Sequence, residues 1–503
     1  MKKAIKNFLT DAFPEVIMIL LNLILLKLFY GKLGTNIYAL YQIFSQFFAY
    51  LVLAEAGFSS CALVSLYKPM AENNIKEINK KLAGIRYIFR NIGIVILTLA
   101  VIISFIIPFT IKGNTFDYFY IVITFILYSI SNSVNYFFFT YRIYYDAREE
   151  KYVPNIVYQV GFIIKYIVEI ILLLLGASFE IVLIGCIICN LLTNFFMKQY
   201  TLKNEKNIKL DKNNKDTSMI NDTKDLIIHK ISGVIANNID IVLISMNLGL
   251  KKVAIYGAYN YILNEINKII TKIGSSLYSI VGKTYFDKNK HLIDKNKFIQ
   301  YNSFLFFLAI IISSSLVFSY NSFINIFYGS DMVASKIVSY LFIIMVYIQI
   351  IRTTLNTYLN GCGLFKDTKI CAITEGIINL ILSLIFVKYF EMAGILIATI
   401  ISLLISDFII KPIIIKNNLK IFTMKEYYRE FFAYSLIGTI LIVLNSFIFK
   451  FSCNNLIEWF FISTLIFVFN TIITCIIFKL IGRISWLKDI KNVIFKKKSK
   501  EEI

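Results

Sequence analysis

Tyr261, Glu265, Lys268 and Lys272 follow one another at steps of four, three and four residues inside the apolar stretch Val253–Val281. On a helix those steps set all four on one face, with Asn264 beside them. Near mid-membrane each charge costs ~2.5–3.5 kcal/mol, while each large apolar residue returns ~0.3–0.6 kcal/mol. Three charges therefore cost roughly 8–10 kcal/mol against roughly 5 kcal/mol from the apolar residues around them. Such a face must look into protein or a wet cavity, and a polar pathway through the membrane is the simplest account. Asp240, next to Asn237 and Asn238, repeats the problem in the preceding stretch Asp225–Leu248.

Other intramembrane groups extend this chemistry. Arg352 stands mid-span with Gln349, Asn356 and Asn360 on its face. Its planar fork suits phosphate oxygens; the alternative is an ion pair with Glu375 that ties two spans together. Lys268 and Lys272 would add point-charge contacts to the same anion unless Glu265 neutralises them. Lys165 and Glu169, four residues apart, read first as an internal pair and second as an anion contact through Lys165. Asp240, Glu55, Glu265 and Glu375 are the cavity carboxylates, placed to bind a coupling proton or sodium ion or to neutralise cavity lysines. The many aromatic residues read first as lipid-facing and interfacial, and second, for Tyr256, Tyr259 and Tyr261 beside the charged face, as rings to stack on a sugar. No His or Cys cluster has metal-ligand spacing, and Cys186-x-x-Cys189 stands alone in an apolar run. No metal or cofactor is therefore expected.

The elements that must hold these groups are membrane helices. Of 503 residues, 58% are hydrophobic and only 5 are proline, with a mean hydropathy of +0.70. This is far too apolar for a soluble globular protein. The net charge of +21 sits in short loops between apolar spans, which excludes nucleic-acid binding as its explanation. The reading is an all-α polytopic membrane protein of about fourteen spans. Lys68–Lys81, Lys198–Lys224, Lys283–Lys297 and the tail Lys488–Lys500 are the basic segments, so both termini are expected on the cytoplasmic side of a plasma membrane. The tail would hold anionic membrane lipid. Lys2, Lys3 and Lys6 precede an ordinary first span without a cleavage site for a signal peptide.

Thr201–Lys224, rich in Lys, Asn and Asp, is the one obvious linker. It divides a six-helix lobe at 1–200 from a second at 225–416, leaving 417–503 for two further helices and the basic tail. A faint echo joins the halves: Tyr38, Tyr41 and Gln42 match Tyr256, Tyr259 and Asn260 at one constant offset.

Two regions carry a resemblance. One runs from Tyr38–Gln42 to Glu55, Ala56, Gly57, Phe58, Ser59, Ser60 and Tyr67. The other is Gly363–Asp367 with Lys369, followed by Glu375–Asn379, Lys388 and Ala393–Ile395. Together with Tyr144–Pro154 and His229–Asp240, these resemble bacterial polysaccharide and O-antigen repeat-unit flippases of the multidrug, oligosaccharidyl-lipid and polysaccharide exporter superfamily. Glu55 stands where that family usually has Asp. The resemblance implies two lobes rocking about a central cavity and a cargo of undecaprenyl-diphosphate-linked oligosaccharide, moved from inner to outer leaflet. It also implies a polysaccharide polymerase and glycosyltransferases as working partners. A cationic cavity lined by Arg352, Lys268, Lys272, Asn356, Tyr261, Asn264 and Lys165 would meet the need of a diphosphate crossing mid-membrane.

The nearest rival is a cation-coupled exporter of drugs or small molecules with the same fold. That rival calls for a net acidic cavity, whereas here the mid-membrane cations at least match the acids. An enzyme such as a polymerase would need catalytic groups on a large outer loop, and the outer loops here are short and lack His. No Gly-rich phosphate loop is present, so the driving force would be an ion gradient or a downstream pull.

Overall fold

Lipid offers no partner for backbone N–H or C=O groups, so a chain this apolar must satisfy them within itself. It does so as helix, and no strand occurs among the described residues. The computed structural model describes the chain except residues 1, 56, 209, 211–214, 219–238, 287–294, 450–452 and 484–503. Ala56, His229, Asn237, Asn238, His291, much of the linker and the basic tail therefore lie outside the described residues. The protein is all-α and polytopic.

It divides into two units, Met1–Ala254 and Ile255–Ile503. The first holds α1 (Lys2–Leu33), α2 (Thr35–Leu51), α3 (Phe58–Ala71), α4 (Ile75–Ser104), α5 (Tyr118–Ala147), α6 (Tyr152–Leu174), α7 (Phe179–Asn204) and the short α8 (Ile239–Leu248). The second begins inside α9 (Leu250–Phe286) and continues with α10 (Lys295–Tyr328), α11 (Lys336–Gly361) and α12 (Phe365–Leu404). A π-helical turn at Ile405–Ile410 leads into α13 (Lys411–Leu419), α14 (Met424–Ile448) and α15 (Leu456–Leu480).

Among the described residues ten helical stretches are long and apolar enough to span a membrane. One of them, Asp367–Leu419, is folded back on itself as a helical hairpin. Asn379 Nδ2 donates to Thr399 Oγ1 at 2.9 Å across a separation of 20 residues, which a straight helix would stretch to ~30 Å. The chain reverses at Glu391, where φ is 50° and ψ is −130°. The polar α9 is not among the ten.

In the first unit α1 packs on α6, and α4 and α7 pack on α5. Buried Ser129, Ser131 and Ser133 on α5 keep these approaches close, as small residues do between membrane helices. Asn190 Nδ2 donates to the Ser131 carbonyl at 2.9 Å and Asn194 Nδ2 to Asn135 Oδ1 at 2.8 Å. The loop after α4 claims α8: Lys112 donates its backbone N–H to the Ser245 carbonyl at 2.9 Å and its Nζ to the Asn247 carbonyl at 2.7 Å. These bonds explain why the first unit runs to Ala254, well past the change of composition at 201–224.

Part of that polar segment is strapped across α4. Asp216 donates its N–H to the Lys80 carbonyl at 3.1 Å and pairs with Lys81 Nζ at 2.9 Å, while Asn79 Nδ2 donates to the Asn207 carbonyl at 2.9 Å. The Ser218 N–H, with Lys81, holds the Asp216 carboxyl well below the usual carboxylate range. The stabilisation from a depressed carboxyl is present above the unfolded value of ~3.9 and is lost only as pH falls through the lower folded value. A Cβ at Gly84 would lie 1.7 Å from the Asp216 carbonyl oxygen. Gly84→Ala is therefore expected to lift the strap and speed tryptic cleavage after Lys206 and Lys215 about tenfold, the equivalent of ~1–1.5 kcal/mol for one lost hydrogen bond.

In the second unit α11, α14 and α15 pack on α10. A buried amide chain fastens the last two helices: Asn445 Nδ2 donates to Asn470 Oδ1 at 2.8 Å, and Asn470 Nδ2 to Ser315 Oγ at 3.0 Å.

Candidate functional site

Among the described residues of the second unit, a buried cluster of charge is built by four elements. α11 presents Arg352 and, one turn on, Asn356. The first half of α12 supplies Glu375, the π turn supplies Asp407, and α13 opens with Lys411. Arg352 Nε lies 2.9 Å from Asp407 Oδ2 and its Nη2 lies 3.2 Å from Glu375 Oε2. Lys411 Nζ lies 2.5 Å from Asp407 Oδ1 and donates to Asn356 Oδ1 at 2.8 Å. Asp407 is wholly buried, and two cations answer two carboxylates. Buried ions of this kind persist only when paired and hydrogen-bonded.

The local backbone explains how Asp407 reaches this position. Pro412 has no N–H, and its ring would clash with the carbonyl four residues back, that of Phe408. The helix widens into the π turn just before it. The Phe408 carbonyl so released accepts from the Tyr428 hydroxyl at 2.8 Å.

Arg352 thus takes the ion-paired alternative with Glu375, plus a partner, Asp407, that the sequence reading did not single out. Asn356 is held by Lys411, also unnoticed. The signal was there: Asp407 and Lys411 are four apart in the otherwise oily span Ala393–Ile415. Opposite charges at that spacing mark a pair.

α9 behaves differently. Lys268 Nζ is 2.7 Å from Glu265 Oε1, yet the Lys268 side chain stays 57% exposed while Glu265 is at 13%. Asn264 and Lys272 are exposed too, and Tyr261 is half-buried. On this helix Asn264, Lys268 and Lys272 form an exposed polar stripe, with Tyr261 and Glu265 partly buried beside them. The neighbouring aromatics are not part of it. Tyr256 and Tyr259 are buried, with Tyr259 donating to Asn321 Oδ1 at 2.6 Å and accepting from the Ala334 N–H at 3.1 Å. As core residues they cannot offer a ring face to a sugar.

The first unit holds the remaining candidates. Lys165 Nζ is 3.7 Å from Glu169 Oε1 and sits over the rings of Tyr166 and Phe162 at 5.4 and 5.8 Å. Glu169 also accepts from the Cys186 thiol at 2.7 Å. Glu55 closes a short 3-10 turn (Val52–Glu55) between α2 and α3, accepts from the Ser59 hydroxyl, and lies within electrostatic reach of Tyr136. Asp240 is buried in α8, near Tyr50. Glu55, Lys165 and Asp240 belong to the first unit, while Glu265, Arg352 and Glu375 belong to the second. Among the described residues no group of three His, Cys, Asp or Glu side chains is placed to hold a metal ion.

No protein-family model matches the chain, and no curated protein matches it. Solved structures do. The lipid II flippase MurJ in an inward closed conformation superposes with a TM-score of 0.70 at 18% identity, covering 94% of this chain and 99% of that one. An inward-facing multidrug resistance MATE transporter of the MOP superfamily gives 0.66 at 13% identity, over 84% of this chain and 99% of its own. The chain adopts the fold these transporters share. A third such structure, a MOP superfamily transporter from Pyrococcus furiosus described as having a binding pocket of reversed polarity, gives 0.58 at 14% identity over 81% and 93%. At these identities the likeness fixes the MurJ- and MATE-type architecture, and cargo has to be argued from side chains.

Proposed function

We propose that this chain is a bacterial plasma-membrane flippase for undecaprenyl-diphosphate-linked oligosaccharide repeat units. It moves them from the inner to the outer leaflet by alternating access, for surface polysaccharide assembly. The carrying observation is the accessible stripe on α9. Lys268 and Lys272 stay exposed inside a chain whose composition is that of a bilayer-embedded protein, and lipid would not tolerate them there. A diphosphate in transit supplies the negative charge such a stripe needs.

Asn264 and Tyr261 complete the stripe as polar contacts for the cargo headgroup. Arg352 and Lys165 are engaged by carboxylates, so in this reading they set the local potential and hold helices. Asp240, Glu55 and Glu265 are the proposed sites for a coupling proton or sodium ion. Both termini are cytoplasmic, which places the linker and tail beside glycosyltransferases and anionic lipid.

The second reading, a cation-coupled multidrug exporter, is favoured by the MATE transporters among the structural neighbours. The two part over cargo charge. In the native host, deletion of the gene should empty the cell surface of glycan and raise the pool of lipid-linked intermediate on the inner leaflet. Unchanged glycan with new sensitivity to cationic drugs would support the exporter instead.

A further inference from the structure

On the exposed apolar side of the first unit, α6 and α7 flank an open cavity of about 560 Å³ lined by Ile156, Val160, Ile164, Leu192, Thr193 and Phe196. Val160 and Leu192 are 50% and 63% exposed, so the cavity opens outward, where an apolar surface on a membrane-spanning helix meets lipid. The floor exists because residue 161 is glycine: a Cβ there would lie 2.4 Å from the Thr193 side chain. The volume falls within the ~300–1,000 Å³ of ordinary ligand pockets. Water is not a stable filling for walls of this kind, but hydrocarbon is.

Position and charge narrow the occupant. The lining residues lie in the first turns of α6 and the later turns of α7. With the basic loops on the cytoplasmic side, as the flippase reading has them, that is the inner-leaflet half of the membrane. Cations gather at the same end. The Arg142 guanidinium sits over the Tyr158 ring at 5.7 Å, and the Tyr158 hydroxyl donates to Asn194 beside the cavity at 3.0 Å. Arg142 and Lys151 both act on Asp146, and Lys198 adjoins Gln199 in the lining. An anionic headgroup at the membrane surface, with its chain running up into the protein, fits this pattern. The walls are studded with branched side chains, Ile156, Val160, Ile164 and Leu192 among them, and a polyisoprenoid carries methyl branches along its length that can interlock with them where a straight acyl chain has none.

We infer that this groove receives the isoprenoid chain of a polyprenyl-diphosphate lipid as it is loaded from the inner leaflet. The inference rests on the flippase reading. It is tested by placing a benzoylphenylalanine photocrosslinker at Leu192 in the full chain in cell membranes, with a control at Leu465, which is 56% exposed on α15. Captured lipids are then identified by mass spectrometry. Polyprenyl adducts should be enriched about tenfold at Leu192 over Leu465, the lower range of what an apolar pocket discriminates. Filling the groove with Val160→Trp and Leu192→Trp should lower surface glycan at unchanged protein level. Phospholipid adducts in equal proportion at both positions, or a filled groove that leaves glycan unchanged, overturn the inference. If gene deletion still abolishes surface glycan, the groove alone has failed; if deletion leaves glycan intact, the flippase reading has failed with it.

Discussion

Asp407→Ala should lower the stability of the second unit by about 3–5 kcal/mol, the cost of leaving buried charge without its partner. Asp407 is wholly buried between Arg352 and Lys411. Its loss leaves Arg352 with Glu375 alone and Lys411 with only the neutral Asn356 amide. The expected result is poor accumulation in membranes and a clearly lower melting temperature in detergent. Asp407→Leu combined with Lys411→Met removes opposite charges together and keeps Arg352 with Glu375. That double variant should be more stable than Asp407→Ala, so the two sites should couple strongly in a double-mutant cycle. If Asp407→Ala melts with the parent, the quartet is not a structural ion cluster, and Arg352 returns as a candidate ligand for the cargo.

The second large effect is on transport and not on folding. Lys268→Gln with Lys272→Gln removes two cations from the exposed stripe of α9. Lys268 shares its charge with Glu265 across 2.7 Å but is 57% exposed, and exposed pairs contribute ~0–1 kcal/mol to stability. Protein level and melting temperature should therefore stay close to the parent. A charge-assisted hydrogen bond to phosphate contributes ~1.5–3 kcal/mol, so losing even one of two such contacts should slow translocation at least about tenfold. The readout is the ratio of surface glycan to inner-leaflet lipid-linked intermediate at matched protein level. A double variant with parental ratio removes the α9 stripe from the cargo path.

These two clusters also show what the sequence reveals and what it hides. Insertion cost exposed the α9 stripe, because Glu265, Lys268 and Lys272 cannot face lipid. It likewise exposed Arg352, for which an ion pair with Glu375 was one of two readings left open. Asp407 and Lys411 carry the same insertion cost, but their spacing of four residues reads as a self-contained pair on one helix and gives no sign that Arg352 and Asn356 are their partners. Only the three-dimensional return of the chain at Glu391 brings that span back beside α11. Helix lengths were hidden for a related reason. Hydropathy sees the oily part of a helix, whereas α10 runs 34 residues, about 51 Å, well beyond a hydrocarbon core of ~30 Å. The aromatic echo between halves was legible as a pattern, but its meaning was not. Tyr38, Tyr256 and Tyr259 are buried and support packing, a role that spacing alone does not separate from ligand stacking. Glu169 shows the same limit: its partner Lys165 was visible at four residues, and the Cys186 thiol on the next helix was not.

Cargo identity is the claim on which the remaining assignments depend, and it can be measured without a cell. The purified full chain is reconstituted in liposomes carrying a labelled polyprenyl-diphosphate oligosaccharide, and an impermeant glycosidase added outside reports how much label becomes accessible with time. With the parent chain the accessible fraction should rise beyond its initial outer-leaflet share, and with Lys268→Gln/Lys272→Gln the rise should be at least about tenfold slower. A flat trace with the parent, in vesicles where the same chain moves a lipophilic cation, would contradict the flippase assignment and favour the exporter.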